Sequence, residues 1–322
     1  FTIQPMSMEG TRRYFSDFGI RYETLEEVIE SIGRNDTALL RQDHRTRVHF
    51  FVSALHYATS IGICEFFVDK CKISVNCVNQ VESSLDTRLG WTPLLAVTSA
   101  WGDRTSVVQW LLNRGAKVDH MDQGGRTTLH YCVEHRQMDA LLLLLPHAPH
   151  LVKALCVEAC QRDACDILDY LLTQMDDISA PVDKRGDTLL HLACTWRNLE
   201  TLRTLLRRNA DTTVVNENRE TSLMILCQNV LRWEVESCIQ ELLSHSVDSL
   251  HMLNGAGMSA VDLAVRSGGV LVVRKLLEFG ALAIKHNLLM TAVSGSCRRE
   301  MIEVLIEHGT DVNERAVSRE TP

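Results

Sequence analysis

Three histidines are the first residues of this chain whose side chains suggest chemistry, because an imidazole titrates near neutral pH and can serve as a general acid or base. They are His56, His130 and His191, and each follows a leucine inside a short phrase that recurs along the chain. A residue that repeats at a repeated position is rarely catalytic. We therefore predict a structural role for all three.

Cysteines suggest a second kind of chemistry, because a cluster of thiolates can hold zinc. Cys156 and Cys160 lie one helical turn apart, with Cys165 nearby. No CxxC spacing or group of histidines accompanies them, so we predict no metal site. The eleven cysteines are scattered, and we expect them to be buried free thiols in a reducing compartment. This favours a cytoplasmic location, with the nucleus also open.

Catalytic signatures are missing from the sequence. It contains no GxxxxGK[ST] phosphate loop, no GxSxG elbow and no HExxH zinc helix. We therefore expect no enzymatic activity and no cofactor, and we expect the function to reside on a surface of the protein.

The elements that position the histidines are copies of one phrase, spaced by about 33 residues. The clearest copy begins at Gly186-Asp187-Thr188-Leu189-Leu190-His191 and closes at Asn209-Ala210-Asp211. A second copy begins at Gly125-Arg126-Thr127-Thr128-Leu129-His130, and a third at Gly90-Trp91-Thr92-Pro93-Leu94. Threonine can cap a helix, proline fits its first turn, and Gly115, Gly280 and Gly309 stand where a second helix must end in a left-handed residue.

These residues resemble the ankyrin repeat, whose Thr-Pro-Leu-His-x-Ala motif opens the first of two antiparallel helices. The resemblance implies an all-α ankyrin-repeat solenoid of about eight helix-turn-helix repeats joined by β-turn or hairpin loops. It also implies that each motif histidine bonds to backbone and neighbouring loop groups. Weaker copies begin near Ala54, Ala154, Thr221, Ser259 and Leu288.

The chain divides by pattern into two parts. We assign residues 53–322 to the repeat array, and Glu320-Thr321-Pro322 predicts a truncated last repeat and a longer parent array. Residues 1–52 depart from the pattern and contain one amphipathic helical stretch, Thr24 to Ile32. This part is interpreted as an amino-terminal cap, with a linker from an upstream domain as the alternative.

In the family the binding surface is concave and is formed by the hairpin tips and the exposed ends of the first helices. Carrying those positions over residue by residue predicts the partner-binding residues of this chain. They are Trp91, Gln123, Arg126, Glu134, His135, Gln161, Arg162, Lys184, Arg185, Asp187, Thr195, Trp196, Glu217 and Glu220.

Trp196 occupies a position that faces solvent in the family, where a large aromatic ring can anchor an interface. Alternatively, Trp196 covers an adjacent repeat. Two insertions, Thr98 to Asp103 with Trp101 and Gln228 to Glu236 with Trp233, lengthen the connection between helices. Such insertions either contribute to a binding face or are tolerated surface loops.

Charge limits the class of partner. The chain has 33 basic and 41 acidic residues and a net charge of −8, which disfavours nucleic acid and anionic membranes. The chain contains no run of about 18 apolar residues, so we expect no membrane insertion. A protein or peptide carrying both signs of charge is the expected partner; the sequence says nothing of oligomeric state.

Two functions remain open. The first is a non-catalytic scaffold that holds a partner on the concave face, with substrate recognition for a ubiquitin ligase as one form of it. The second is a regulatory domain that docks on an enzyme or channel domain of the same longer chain. A weaker third idea is that Asn313 is itself a substrate, because Leu305 to Asn313 resembles ankyrin segments that asparaginyl hydroxylases modify.

Overall fold

The structure is a computed structural model, and it describes residues 61–70, 72–79, 90–99, 104–228, 230, 234–281, 288–294 and 298–310. The predicted cap at 1–52, His56, Trp101, Trp233 and Asn313 lie outside these residues. The described part contains helices and turns and no strands, which confirms the all-α prediction.

Antiparallel helix pairs recur through the described residues, as the repeat pattern predicts. The helices are α1 (Ile61–Glu65), α2 (Pro93–Thr98), α3 (Thr105–Asn113), α4 (Thr128–Glu134), α5 (Met138–Leu144), α6 (Val152–Gln161), α7 (Cys165–Leu172), α8 (Leu189–Trp196), α9 (Leu199–Arg207), α10 (Ser222–Gln228), α11 (Val235–His245), α12 (Ala260–Arg266), α13 (Val270–Glu278), α14 (Leu288–Ser294) and α15 (Arg298–Glu307). A π-helical turn, Phe66–Lys70, follows α1, and two 3₁₀ turns, Leu145–His147 and Pro149–Leu151, follow α5.

The chain forms two compact units, Phe1–Leu151 and Val152–Pro322. In the amino-terminal unit, α2 packs on α4, and α3 packs on both α1 and α5. In the carboxy-terminal unit, the first helices α6, α8, α10, α12 and α14 stack in one layer. The second helices α7, α9, α11, α13 and α15 stack in another.

Each core lies between the two layers, because one helix pair is too small to bury its own apolar face. Leu94, Leu111, Leu129 and Leu141 are fully buried in the amino-terminal unit. The equivalent leucines of the carboxy-terminal unit include Leu189, Leu205, Leu223, Leu242 and Leu276, also fully buried. These are the motif leucine of the first helix and the apolar pair of the second.

The motif histidines are structural, as predicted, in both copies that the structure describes. The Thr188 backbone N–H donates to His191 Nδ1 across 3.1 Å, and the Thr127 N–H donates to His130 Nδ1 across 3.1 Å. His191 Nε2 lies 2.9 Å from the carbonyl oxygen of Glu220 in the next repeat. Since that oxygen can only accept, Nε2 carries the proton and Nδ1 accepts. The side chain therefore caps its own helix and joins two repeats.

The helix ends also follow the sequence. Gly115, Gly280 and Gly309 have φ of 82°, 89° and 86°, which confirms the left-handed residue expected after each second helix. Asn209 takes the same conformation at φ 58° in the repeat that lacks the glycine. A second left-handed position lies after the first helices, where non-glycine residues such as Arg197, at φ 60°, adopt it.

Candidate binding surface

Four hairpin tips within the described residues are each ordered by one Asp or Asn side chain, five positions before the capping Thr or Ser. Oδ1 of Asn216 accepts from the N–H groups of Asn218 and Glu220, both across 3.0 Å. Oδ1 of Asp183 accepts from Arg185 and Asp187 in the same way, both across 2.9 Å. Asp122 and Asn254 repeat this arrangement with their own tips. The five-residue spacing between this Asp or Asn and the capping residue is a signal in the sequence that identifies these residues.

Successive tips in the carboxy-terminal unit are joined through their backbones. The Glu217 N–H donates to the Arg185 carbonyl across 2.9 Å, and the Gly255 N–H donates to the Asn218 carbonyl across 2.8 Å. Gly186, at φ +74°, lies so close to the next tip that an added Cβ would be 3.3 Å from the Glu217 nitrogen. The tips therefore form a connected edge rather than separate loops.

The predicted tip residues of the carboxy-terminal unit divide by exposure. Lys184, Arg185 and Glu217 are exposed. Asp187 is buried at 2% exposure, and its carboxylate binds Arg185 at 2.8 Å and the Asn216 side-chain amide at 2.9 Å. Its assignment as a partner contact is corrected, because its oxygens are used inside the hairpin edge.

Glu220 is half-buried, and its carboxylate accepts from the Gln228 side-chain amide. Its carbonyl accepts from His191. Glu220 therefore supports the motif of the preceding repeat as well as lying at a tip.

The predicted residues at the ends of first helices are less uniform than expected. Gln161 and Arg162 are exposed, and Arg162 forms an ion pair with Glu158 one turn earlier, at 2.5 Å. The Thr195 hydroxyl donates to the His191 carbonyl of its own helix across 2.9 Å. Trp196 is half-buried, so its ring is neither fully presented to solvent nor fully enclosed.

The predicted residues of the amino-terminal unit gather around Tyr131, which sequence reasoning did not single out. The Arg126 guanidinium lies 4.5 Å above the Tyr131 ring and forms an ion pair with Glu134 at 2.6 Å. The His135 ring stacks against Tyr131 with centroids 6.4 Å apart. Gln123 is exposed at the tip. Arg126, Glu134 and His135 therefore form one cluster around Tyr131.

Trp91 is not a surface residue, which corrects its assignment. It is 5% exposed and packs with Leu95, Ala96 and Tyr131 in one buried cluster. The Trp91 and Tyr131 rings lie 5.0 Å apart at 55°, a tilted arrangement that aromatic pairs favour. Because the ring lies between two repeats, a partner cannot reach it while both remain stacked.

Burial and a hydrogen bond fix the protonation of Tyr131. Burial, followed by the 2.7 Å hydrogen bond that its hydroxyl donates to Asp122 Oδ2, raises the pKa of Tyr131 above its ordinary value. The phenol therefore stays neutral at physiological pH and holds the tip carboxylate in place.

Burial dominates the surroundings of the cysteines in the described residues, where seven are buried and two are half-buried. All of those described are free, and burial raises the pKa of Cys132 and of Cys156 to about 12. Within the same part of the chain, no cluster of His, Cys, Asp or Glu has the makings of a metal site. Buried thiols of high pKa are poor nucleophiles and poor metal ligands.

No single helix of the described part is long and apolar enough to cross a membrane. Two segments separated by a break, Met138–His147 and Pro149–Gln161, reach the required length and composition only when taken together.

The insertion between α10 and α11 is anchored at its described ends. The Ser267 hydroxyl donates to the Gln228 carbonyl across 3.0 Å. Val230 covers Gly269, where an added Cβ would lie 2.6 Å from the valine Cβ. These parts of the insertion therefore pack on the following repeat.

Comparison with known proteins agrees with the repeat geometry. A family model described as ankyrin repeats (3 copies) matches residues 55–156 and 155–248. The chain is 25% identical to Rabankyrin-5 of Homo sapiens over 202 residues. This matched stretch covers 62% of this chain and 14% of that protein.

Two further relatives have similar identities. Ankyrin repeat protein B18 of Variola virus is 22% identical over 256 residues, 71% of this chain and 44% of its own length. The Homo sapiens transient receptor potential cation channel subfamily A member 1 is 26% identical over 215 residues, 65% of this chain and 16% of its own. The matched part is less than half the length of each of these relatives.

Proposed function

Because the chain belongs to the ankyrin-repeat family, whose repeats generally mediate protein–protein interaction, we propose that it is a non-catalytic scaffold that binds a partner protein or peptide through its hairpin tips. The observation that carries the proposal is the construction of the tips. Asp183 and Asn216 satisfy the backbone inside each tip, while Lys184, Arg185 and Glu217 beside them remain exposed.

Rigidity is what this construction contributes to binding. The backbone hydrogen bond from Glu217 to Arg185 holds two tips at a fixed spacing before any partner arrives. A preformed surface avoids most of the ordering cost that a flexible loop incurs on binding. The exposed side chains carry both signs of charge. They suit a polar partner segment that places acidic residues against Lys184 and Arg185 and a basic residue against Glu217.

Several finer features belong to the same proposal. The partner surface includes Trp196 and the exposed Gln161 and Arg162 in the carboxy-terminal unit, with the Tyr131 cluster as a separate contact region in the amino-terminal unit. The proposed location is the cytoplasm or the nucleus. Substrate recruitment for a ubiquitin ligase is one form of this function, and it rests on analogy with the family alone.

A charge-swap experiment tests the tip surface. Lys184→Glu combined with Glu217→Lys keeps the net charge and exchanges two exposed tip charges. The matched control exchanges the exposed ion pair Arg299 and Glu303, 2.9 Å apart on α15, by Arg299→Glu with Glu303→Arg. Partners captured from cell lysate by the wild type and the control, and lost by the tip swap, support the proposal. Equal capture by all three proteins contradicts it.

A second candidate is regulation of an enzyme or channel domain within the same longer chain. One observation favours it: a relative of similar identity is a cation channel subunit, of which the matched part forms only 16%. Chemical cross-linking of the full-length protein distinguishes the two. Cross-links from Lys184 to a domain outside the repeats support internal docking, and cross-links only to other proteins support the scaffold.

A further inference from the structure

Two adjoining cavities lie in the layer of second helices of the carboxy-terminal unit, among α9, α11 and α13. The first has a volume of about 450 Å³ and is lined by Glu236, Glu241, Leu271, Lys275 and Glu278, among others. The second has a volume of about 400 Å³, and its lining includes Leu206, Arg207 and His245. Both are open depressions on the surface rather than enclosed cavities.

The wall between the cavities is a fixed ion pair. Arg203 and Glu241 line both cavities and lie 3.0 Å apart, and Arg203 also binds Glu200 at 2.7 Å. The charge of Arg203 is thus already neutralised within the surface. We call the two cavities and this shared wall the outer groove.

The charges left without an ion pair differ between the two ends of the outer groove. In the first cavity, Glu236, Glu278 and Lys275 form no ion pair with another described residue, whereas Arg274 binds Glu307 at 3.1 Å. Two carboxylates against one ammonium leave that end negative. In the second cavity, Arg207 bonds to the Arg203 carbonyl and the Thr204 hydroxyl, and to no carboxylate in the described part of the chain. That end is therefore positive.

An apolar contact lies beside the negative end. Leu271, on α13, is 60% exposed, the largest exposure among the large hydrophobic side chains that the structure describes as exposed. A single exposed leucine is ordinary on a protein surface. Here it lines a cavity beside charged side chains, where an apolar side chain of a bound peptide can pack on it.

We propose that the outer groove is a second binding site, which takes a peptide segment of a partner protein with three matched side chains. An apolar side chain packs on Leu271, a basic side chain meets Glu236 beside it, and a carboxylate meets Arg207 and His245. The order of charges along the groove, rather than its net charge, selects the segment. This site is independent of the hairpin tips.

The test exchanges the charges at the two ends of the outer groove and asks whether the preferred order of charges in the bound peptide reverses. A folding defect cannot produce that reversal. A displayed library of random 12-residue peptides is selected against the whole chain and against a Glu236→Lys, Arg207→Glu variant of equal net charge. Each selection is repeated against the corresponding protein that also carries Leu271→Ser. We expect the wild type to enrich peptides with a basic, an apolar and an acidic residue in one order, and the variant to enrich the reverse charge order.

The expected loss with Leu271→Ser is about tenfold in affinity for a selected synthetic peptide. Three results overturn the proposal. One is that the selected peptides bind equally well to proteins with and without the three substitutions, or that no peptide is enriched more strongly than on the protein that carries Leu271→Ser. Another is that binding depends on Arg207 alone and is displaced by inorganic phosphate, which makes the second cavity an anion site. The third is concentration-dependent dimerisation in sedimentation that Leu271→Ser abolishes, which makes a second copy of this chain the occupant.

Discussion

The side-chain amide of Asn216 donates a hydrogen bond to the buried carboxylate of Asp187 across 2.9 Å, and so joins two consecutive hairpin tips through their side chains. The Asn216 Oδ1 atom meanwhile accepts two backbone N–H groups of its own tip. One asparagine therefore orders its own hairpin and attaches it to the preceding one. An aspartate at this position can do only the first.

Asn216→Asp is predicted to lower the free energy of unfolding by about 1–3 kcal/mol at neutral pH. The new carboxylate keeps the acceptor for the tip but faces Asp187 without a proton to donate, so two negative charges lie together. The loss should shrink as pH falls and one of the pair is protonated. Urea denaturation at pH 7 and pH 5 measures both effects.

The matched control is Asn254→Asp. Asn254 Oδ1 makes the same two tip hydrogen bonds, to Ala256 and Met258, and its amide donates to no other described residue. Its change should therefore cost little. Equal losses from the two substitutions would show that the bridge to Asp187 does not contribute.

Gly269→Ala is predicted to destabilise the protein by about 1–3 kcal/mol through overpacking. Its φ is not in the left-handed region, so the reason is space: the new Cβ would lie 2.6 Å from Val230 Cβ. The effect should be largely relieved in the Gly269→Ala, Val230→Gly double variant, because the clash needs both side chains. Thermal unfolding of the wild type, the two single variants and the double variant gives the coupling free energy between the two positions.

Gly62→Ala is the control for that substitution, with the opposite expected sign. Gly62 lies inside α1, and an added Cβ there meets nothing within 4 Å. Alanine should be neutral to about 1 kcal/mol stabilising in such a helix. A stabilising effect at both glycines would remove the role given to Val230.

Arg197→Gly is predicted to stabilise the protein by about 0.5–1 kcal/mol, because Arg197 ends α8 in the left-handed conformation at φ 60°. The equivalent position after α12 is already a glycine, Gly268 at φ 78°. Arg197→Ala keeps the Cβ and should bring no gain. Chemical denaturation of the three proteins decides the matter, and a gain from alanine as large as that from glycine would point to the arginine charge instead.

His191 is predicted to make the folded state sensitive to acid. Burial, its largest influence, lowers the pKa of His191 below 6.5, against the opposing hydrogen bond to Glu220 and the nearby Asp187. Between the folded and unfolded pKa values the unfolded chain binds more protons, so stability falls as pH drops below about 6.5. The slope from this group is at most about 1.4 kcal/mol per pH unit.

The comparison for this prediction is His191→Gln, which lacks the titrating group and which we expect to be less stable than the wild type at pH 7.5. Its stability should fall less steeply than that of the wild type between pH 7 and pH 5, so the two profiles converge. Parallel profiles would mean that His191 has the same affinity for protons in both states.

Features set by near neighbours were predictable from the residues, whereas between repeats only the bond from the motif histidine to the next loop was expected, and that came from the family resemblance. The cap that Thr188 forms with His191 spans three residues, so its presence follows from local sequence once the helix forms. The burial of Trp91 against Tyr131 joins residues forty positions apart and depends on how two repeats stack. For the same reason the exposure of a tip position could be predicted for Lys184 but failed for Asp187.

The sequence by itself determined the repeat, its helix pairs, its caps and the left-handed ends at Gly115, Gly280 and Gly309, because these depend on backbone preferences and on side chains within one turn. Only the tertiary structure decided that Trp91 is buried against Tyr131, that Asn216 reaches Asp187, and that Val230 covers Gly269. Those contacts join residues brought together by the stacking of neighbouring repeats, whose register no single copy of the motif specifies.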